Sequence, residues 1–93
     1  MKKRREDVCH SDIWYVYILE CSDGTLYTGI TKDITKRIEE HNHSNKGAKY
    51  TRVRRPVSLK YKESQENRSL ASKREYAIKQ LSRKAKLQLI ATH

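Results

Sequence analysis

Two strand-forming runs joined by a tight turn dominate the first third of the chain and leave it few ways to fold. Trp14-Tyr-Val-Tyr-Ile-Leu-Glu20 is aromatic and β-branched throughout, and Thr25-Leu-Tyr-Thr-Gly-Ile30 follows after Cys21-Ser-Asp-Gly24. Such side chains fit the pleated surface of a sheet, and Asp-Gly between two strand runs is a strong hairpin signal. Successive strand residues point to opposite faces. Trp14, Val16 and Ile18 therefore share one face, and Tyr15, Tyr17 and Leu19 the other. Because both faces are largely apolar, the first strand is expected at the centre of a sheet with its partner antiparallel beside it. Gly29, inside the second strand, suggests a bulge or the close approach of another backbone.

The rest of the chain supplies layers to cover that sheet. Asp33 is placed to cap a helix from Ile34 to about Asn42, with Ile34 and Ile38 as its apolar stripe. Residues 42–56 read as a basic loop. Val57 to Glu63 alternates, with Val57, Leu59 and Tyr61 inward and Ser58, Lys60 and Lys62 outward, the pattern of a half-buried edge strand. Asn67 or Ser69 opens a helix to about Leu81, apolar along Leu70, Ala71, Ala77, Ile78 and Leu81, with Arg74 on the same side. Ser82 caps a last short helix carrying Leu87 and Ile90. The order ββαβαα describes an α+β fold, one three-stranded antiparallel sheet flanked by helices.

Charge narrows the partner. The 93 residues hold 21 Lys+Arg against 11 Asp+Glu, a formal net charge of +10 that favours polyanions. An anionic membrane surface attracts the same charge, but no apolar run approaches the ~20 residues that span a bilayer. Residues 1–11, with Lys2 to Arg5 consecutive, read as a disordered basic arm ahead of a single domain over 12–93. No signal-peptide core follows that start, so a cytoplasmic location is expected; the chain is also expected to be a monomer. Cys9, His10 and Cys21 match no common zinc spacing.

Six tyrosines and no phenylalanine add phenolic tips where packing alone does not require them. Tyr17 and Tyr27 lie on the two hairpin strands, so they can be neighbours in the sheet, as two amphipathic sheet residues or as a functional pair. Arg37 and His41, four apart, project from one side of the first helix. An arginine fork can hold two phosphate oxygens and a histidine can exchange protons near neutral pH, although a solvated helix face beside Lys36 and Glu40 has the same spacing.

Taken together, Tyr15-Val16-Tyr17, Tyr27-Thr28-Gly29 and Asp33 to His41 resemble the GIY-YIG nuclease family, and the likeness extends through Glu75 in Lys73-Arg-Glu-Tyr-Ala-Ile-Lys79. It covers roughly residues 12 to 90. Lys46-Gly-Ala-Lys-Tyr-Thr-Arg52 is similar to a segment of the family's compact, stand-alone bacterial branch. Tyr15 stands where the signature has its first glycine, and Thr28 where it has an aliphatic residue. No asparagine follows Glu75 where the family binds phosphate; Gln88 is the available substitute.

The resemblance implies an endonuclease that hydrolyses phosphodiester bonds with a divalent cation, Mg²⁺ or Mn²⁺, at Glu75. It implies that Tyr17 or Tyr27 helps deprotonate the attacking water, that His41 accepts a proton from a tyrosine, and that Arg37 stabilises the scissile phosphate. A single hard carboxylate suits Mg²⁺, which keeps most of its waters, whereas a bland ion pair between Glu75 and Lys79 is the alternative use of that residue. The substrate is expected to be nucleic acid, DNA rather than RNA, gripped without base reading by Lys32, Lys46, Lys49, Tyr50, Arg52, Arg54 and Arg55. A non-catalytic nucleic-acid-binding module on the same scaffold is the alternative.

Overall fold

Strand pairing follows the hairpin pattern in the computed structural model, which describes residues 13–93; the arm expected over 1–11, with Cys9 and His10, lies outside them. Strand β1 (Trp14–Glu20) pairs antiparallel with β2 (Leu26–Thr31), Tyr17 opposite Gly29 and Leu19 opposite Tyr27. On its other edge β1 pairs antiparallel with β3 (Ser58–Gln65), giving the order β2-β1-β3. The expected central strand is central and the expected edge strand is at the edge. Val16, Tyr17, Ile18 and Leu19 are all buried, as a strand covered on both faces requires.

The two faces of β1 nucleate two cores. On one, Val16 and Ile18 pack with Tyr61, Ala71 and Ile78, edged by Trp14, Leu26, Ile30, Leu89 and Ile90. On the other, Tyr17 and Leu19 pack with Cys21 and Val57, edged by Tyr27, Ile34, Ile38 and Leu59. Strand β3 departs from its expected single inward face. Ile18 pairs with Tyr61 but Leu19 with Leu59, so Lys60 is an extra residue that shifts the register. This bulge sends Leu59 and Val57 to one face and Tyr61 to the other.

Helix α1 (Ile34–His43) is capped by Asp33, whose Oδ1 accepts from the Lys36 amide at 3.1 Å. The basic loop is not wholly irregular: one turn, α2 (Lys49–Arg52), forms inside it, too short for hydrophobic periodicity to reveal. Asn67 caps α3 (Arg68–Lys79) and Ser82 caps α4 (Arg83–Ala91). Only Ala71 and Ile78 of α3 are buried; Leu70 and Leu81, expected along its apolar side, are exposed. On α4, Leu89 joins Ile90 against the core and Leu87 is exposed.

A polar clamp ties α3 to β3. Arg74 Nε donates to both Glu63 oxygens at 3.1 and 3.0 Å, Gln65 donates at 2.7 Å, and the Tyr61 hydroxyl donates as well. Burial pushes the Glu63 carboxyl up, but these donors outweigh it and hold the group below its ordinary value. No described helix is long and apolar enough to cross a membrane.

Candidate active site

The β1 face opposite α3 gathers aromatic and titratable groups from four stretches of chain. Tyr17 of β1 and Tyr27 of β2 sit diagonally across the hairpin with ring centroids 6.5 Å apart. His41 of α1 stands edge-on to both rings, at 5.9 Å from Tyr17 and 5.3 Å from Tyr27. Tyr50 of α2 stacks on Tyr27 at 6.1 Å and 22°, and the Arg54 guanidinium lies 3.8 Å over the Tyr50 ring. Tyr17, Tyr27 and His41 of the sequence-derived set are thus brought together, and the Arg37 guanidinium reaches the Tyr17 phenol.

Two glycines make this packing possible. A Cβ at Gly29 would meet the Tyr17 Oη at 2.5 Å and Cζ at 2.7 Å. The close approach expected there is real, but it is made by a side chain rather than by another backbone. A Cβ at Gly47 would meet the Glu40 carbonyl oxygen at 2.7 Å and the His41 Cα at 2.8 Å. The basic loop therefore lies directly on the backbone of α1 beneath His41.

Hydrogen bonds fix the interior of the site. The Tyr17 hydroxyl is 2.9 Å from His41 Nε2, and His41 Nδ1 is 2.8 Å from Thr51 Oγ1. The Thr51 hydroxyl in turn donates to the Ala48 carbonyl at 2.9 Å. Tyr17 is 1 % exposed, and His41 and Thr51 are fully buried. Burial pushes the Tyr17 phenol up to about 12, against the downward pull of the Arg37 guanidinium. Burial likewise pushes His41 down to about 4, with the positive charge of Arg37 acting the same way. At neutral pH the pair is therefore a protonated phenol beside a neutral imidazole. The 2.9 Å contact places His41 Nε2 against the Tyr17 hydroxyl, and the two share one hydrogen bond.

Arg37 is oriented before any ligand arrives. Its Nη1 donates to Glu40 Oε1 and to the Lys46 carbonyl, each at 2.8 Å. The arginine holds the Glu40 carboxyl below its ordinary value. Beside it opens a cleft of about 370 Å³ whose lining includes Trp14, Lys32, Lys36 and Arg37. Both lysines are exposed, and Lys36 extends the set of cations expected here.

Other expected contacts are distributed differently. Lys46, Lys49, Tyr50 and Arg52 are exposed on the loop. Arg54 is held by Asp23 Oδ2 at 3.1 Å as well as by Tyr50. Arg55, expected to grip phosphate, instead donates to the carbonyls of Glu40, His41 and Ser44 and caps the C-terminal end of α1. Gln88 is exposed on α4. Two residues that shape the site escaped the sequence reading. Glu40 had its i,i+3 spacing from Arg37 as a signal, whereas Thr51, in a polar loop ten residues from His41, had none.

Glu75, on α3, is partly exposed and pairs with Lys79 at 3.2 Å, and its charge reaches the Tyr17 phenol. Among the described residues no three His, Cys, Asp or Glu side chains cluster to hold a metal. One accessible carboxylate nevertheless fits a cation that keeps most of its waters and takes further oxygens from a phosphate, as Mg²⁺ does.

A family model described as the GIY-YIG catalytic domain matches residues 13–88. A UPF0213 protein of Desulfotalea psychrophila is 65% identical over 77 residues, 83% of this chain and 70% of its own length. A UPF0213 protein of Staphylococcus aureus is 57% identical over 79 residues, 85% of this chain and 95% of its own. Among solved structures, the solution NMR structure of the protein EF2693 from E. faecalis is 46% identical with a TM-score of 0.60. That of the UPF0213 protein BH0048 from Bacillus halodurans is 48% identical with a TM-score of 0.56. Each comparison covers 86% of this chain and 84% of the other.

Proposed function

The chain belongs to the GIY-YIG family, and from that premise we propose that it is a divalent-metal-dependent endonuclease cutting nucleic acid, DNA rather than RNA, with little base specificity. The observation that carries the reading is Arg37, a cation held by Glu40 and the Lys46 carbonyl, lining a cleft with Lys32 and Lys36 and reaching the Tyr17 phenol. A guanidinium so fixed receives a phosphate with little reorganisation and opposes the charge that grows on it during attack. Lys32 and Lys36 line the same cleft, and Lys46, Lys49 and Arg52 lie exposed on the neighbouring loop, a spread of cations suited to backbone phosphates.

Of the two tyrosines, Tyr27 is the one that water and substrate can reach, because Tyr17 is buried and its hydroxyl is bonded to His41. Tyr27 helps deprotonate the attacking water at its Oη, and Tyr17 with His41 forms the wall that orients it. Glu75 would hold Mg²⁺ or Mn²⁺, which supplies positive charge to the scissile phosphate and its leaving oxygen when bound.

The test is incubation of the protein with supercoiled, branched and single-stranded DNA and with RNA, in Mg²⁺, Mn²⁺ or chelator. We expect metal-dependent nicking that falls at least ~100-fold in Arg37→Ala and in Glu75→Ala. Salt-sensitive binding with no cleavage of any substrate in either metal would identify the chain as a binding module and sink the enzymatic reading.

A further inference from the structure

We propose that Thr51 is a positioning residue that fixes which nitrogen of His41 carries the proton, and thereby locks the Tyr17 phenol in place beside Tyr27. The polarity of the hydrogen-bond chain is set at its far end. The Ala48 carbonyl can only accept, so the proton lying in its 2.9 Å contact with Thr51 Oγ1 belongs to the threonine. With that proton committed, Thr51 Oγ1 can only accept from His41, at 2.8 Å, so His41 carries its proton on Nδ1. Neutral imidazole then offers an unprotonated Nε2, 2.9 Å from the Tyr17 hydroxyl, which must donate. Each link determines the next.

The reverse polarity is disfavoured where it starts. If the Thr51 hydroxyl turned to His41, its buried oxygen and the half-buried Ala48 carbonyl oxygen would face each other at 2.9 Å as two acceptors. The Ala48 carbonyl would keep the amides of Thr51 and Arg52, each at 3.1 Å, but two oxygens in contact without a proton between them repel, and the Thr51 hydroxyl would lose its Ala48 acceptor. The elements around the chain hold its heavy atoms in place. Gly47 seats the loop against the backbone of Glu40 and His41, Arg55 binds the carbonyls of α1, and Tyr17 is pressed onto Gly29. A hydroxyl of one orientation, on a one-turn helix, so decides how a phenol on the central strand presents its lone pairs.

The role in cutting rests on the nuclease reading, but the proton's location does not, and the two are measured separately. In protein labelled with ¹⁵N-histidine, long-range ¹H–¹⁵N correlation spectra assign each ring nitrogen as protonated or bare. His41 is identified by the signal missing from His41→Gln. We expect native His41 protonated on Nδ1 at pH 7, with Thr51→Ser keeping that pattern and Thr51→Val giving a mixed or reversed one. A native proton on Nε2, or a Thr51→Val spectrum identical to native, overturns the proposal. Should Thr51→Val fail to fold, the native and Thr51→Ser spectra still decide it. In the nicking assay Thr51→Val is expected to cut at least ~10-fold more slowly than native, as loss of a group orienting a functional histidine does, with Thr51→Ser restoring the rate. A protein that nicks nothing refutes the nuclease reading, and the spectra alone then decide whether Thr51 sets the proton on His41.

Discussion

Gly29→Ala isolates the closest contact in the site. The backbone at Gly29 does not adopt a positive φ, so alanine is admissible there and the added methyl group acts only through space. It would enter within 2.5 Å of the Tyr17 Oη and 2.7 Å of Cζ, distances at which the ring must move. Forcing an extra carbon into a packed core costs ~1–3 kcal/mol. If the ring swings away, the bond to His41 goes with it, and the buried Nε2 left unpaired adds ~1–3 kcal/mol. Stiffening of the unfolded chain by alanine returns ~0.4–1 kcal/mol. Mid-range values of these terms give a net destabilisation of ~3 kcal/mol, a fall in melting temperature on the order of 12–24 °C for a domain this small. Thermal and urea denaturation followed by circular dichroism measure it. In a Tyr17→Leu background the same substitution should lose less than half as much, since no ring then stands over position 29. An unchanged or raised melting temperature, or equal losses in the two backgrounds, refutes the contact as the cause.

Two further outcomes are expected. His41 is pushed from 6.5 to about 4 in the fold, so the unfolded chain binds the extra proton first as pH falls. Its contribution is complete above about pH 6.5 and is lost progressively toward pH 4. Between pH 7.5 and 5.0 the native protein should lose ~2 kcal/mol more than His41→Gln in urea titrations, and parallel pH profiles would count against a neutral buried imidazole. Thr28, paired with Ile18 in the sheet, buries a hydroxyl oxygen that has no hydrogen-bond partner among the described residues. Thr28→Val removes it at constant shape and should raise stability by about 1 kcal/mol, whereas a loss in urea denaturation would mean that the hydroxyl is satisfied in solution.

The hairpin was legible because its information is local: period-two alternation, an Asp-Gly turn, and helix caps at Asp33, Asn67 and Ser82 can all be read within a few residues. The split of β3 between faces was not, because a bulge at Lys60 exists only relative to the partner strand. Arg37 and His41 were found through helical spacing, and Tyr17 with Tyr27 through the hairpin. Thr51 was missed and Arg55 was assigned to phosphate for one shared reason. In a basic, polar loop, nothing in the residue types distinguishes a side chain folded back onto α1 from one aimed at solvent. The groups on α1 that claim them lie ten or more residues away.

Because β1 has apolar layers on both sides and a strand along each edge, its amides have no local route to solvent. Val16 to Leu19 should exchange hydrogen for deuterium only when the entire domain opens, whereas α4, with no buried residue of its own, can detach alone. Tyr17 hangs from that slowest-exchanging strand. Its position is therefore lost only in molecules that have ceased to be folded, and the lifetime of the site equals the lifetime of the domain.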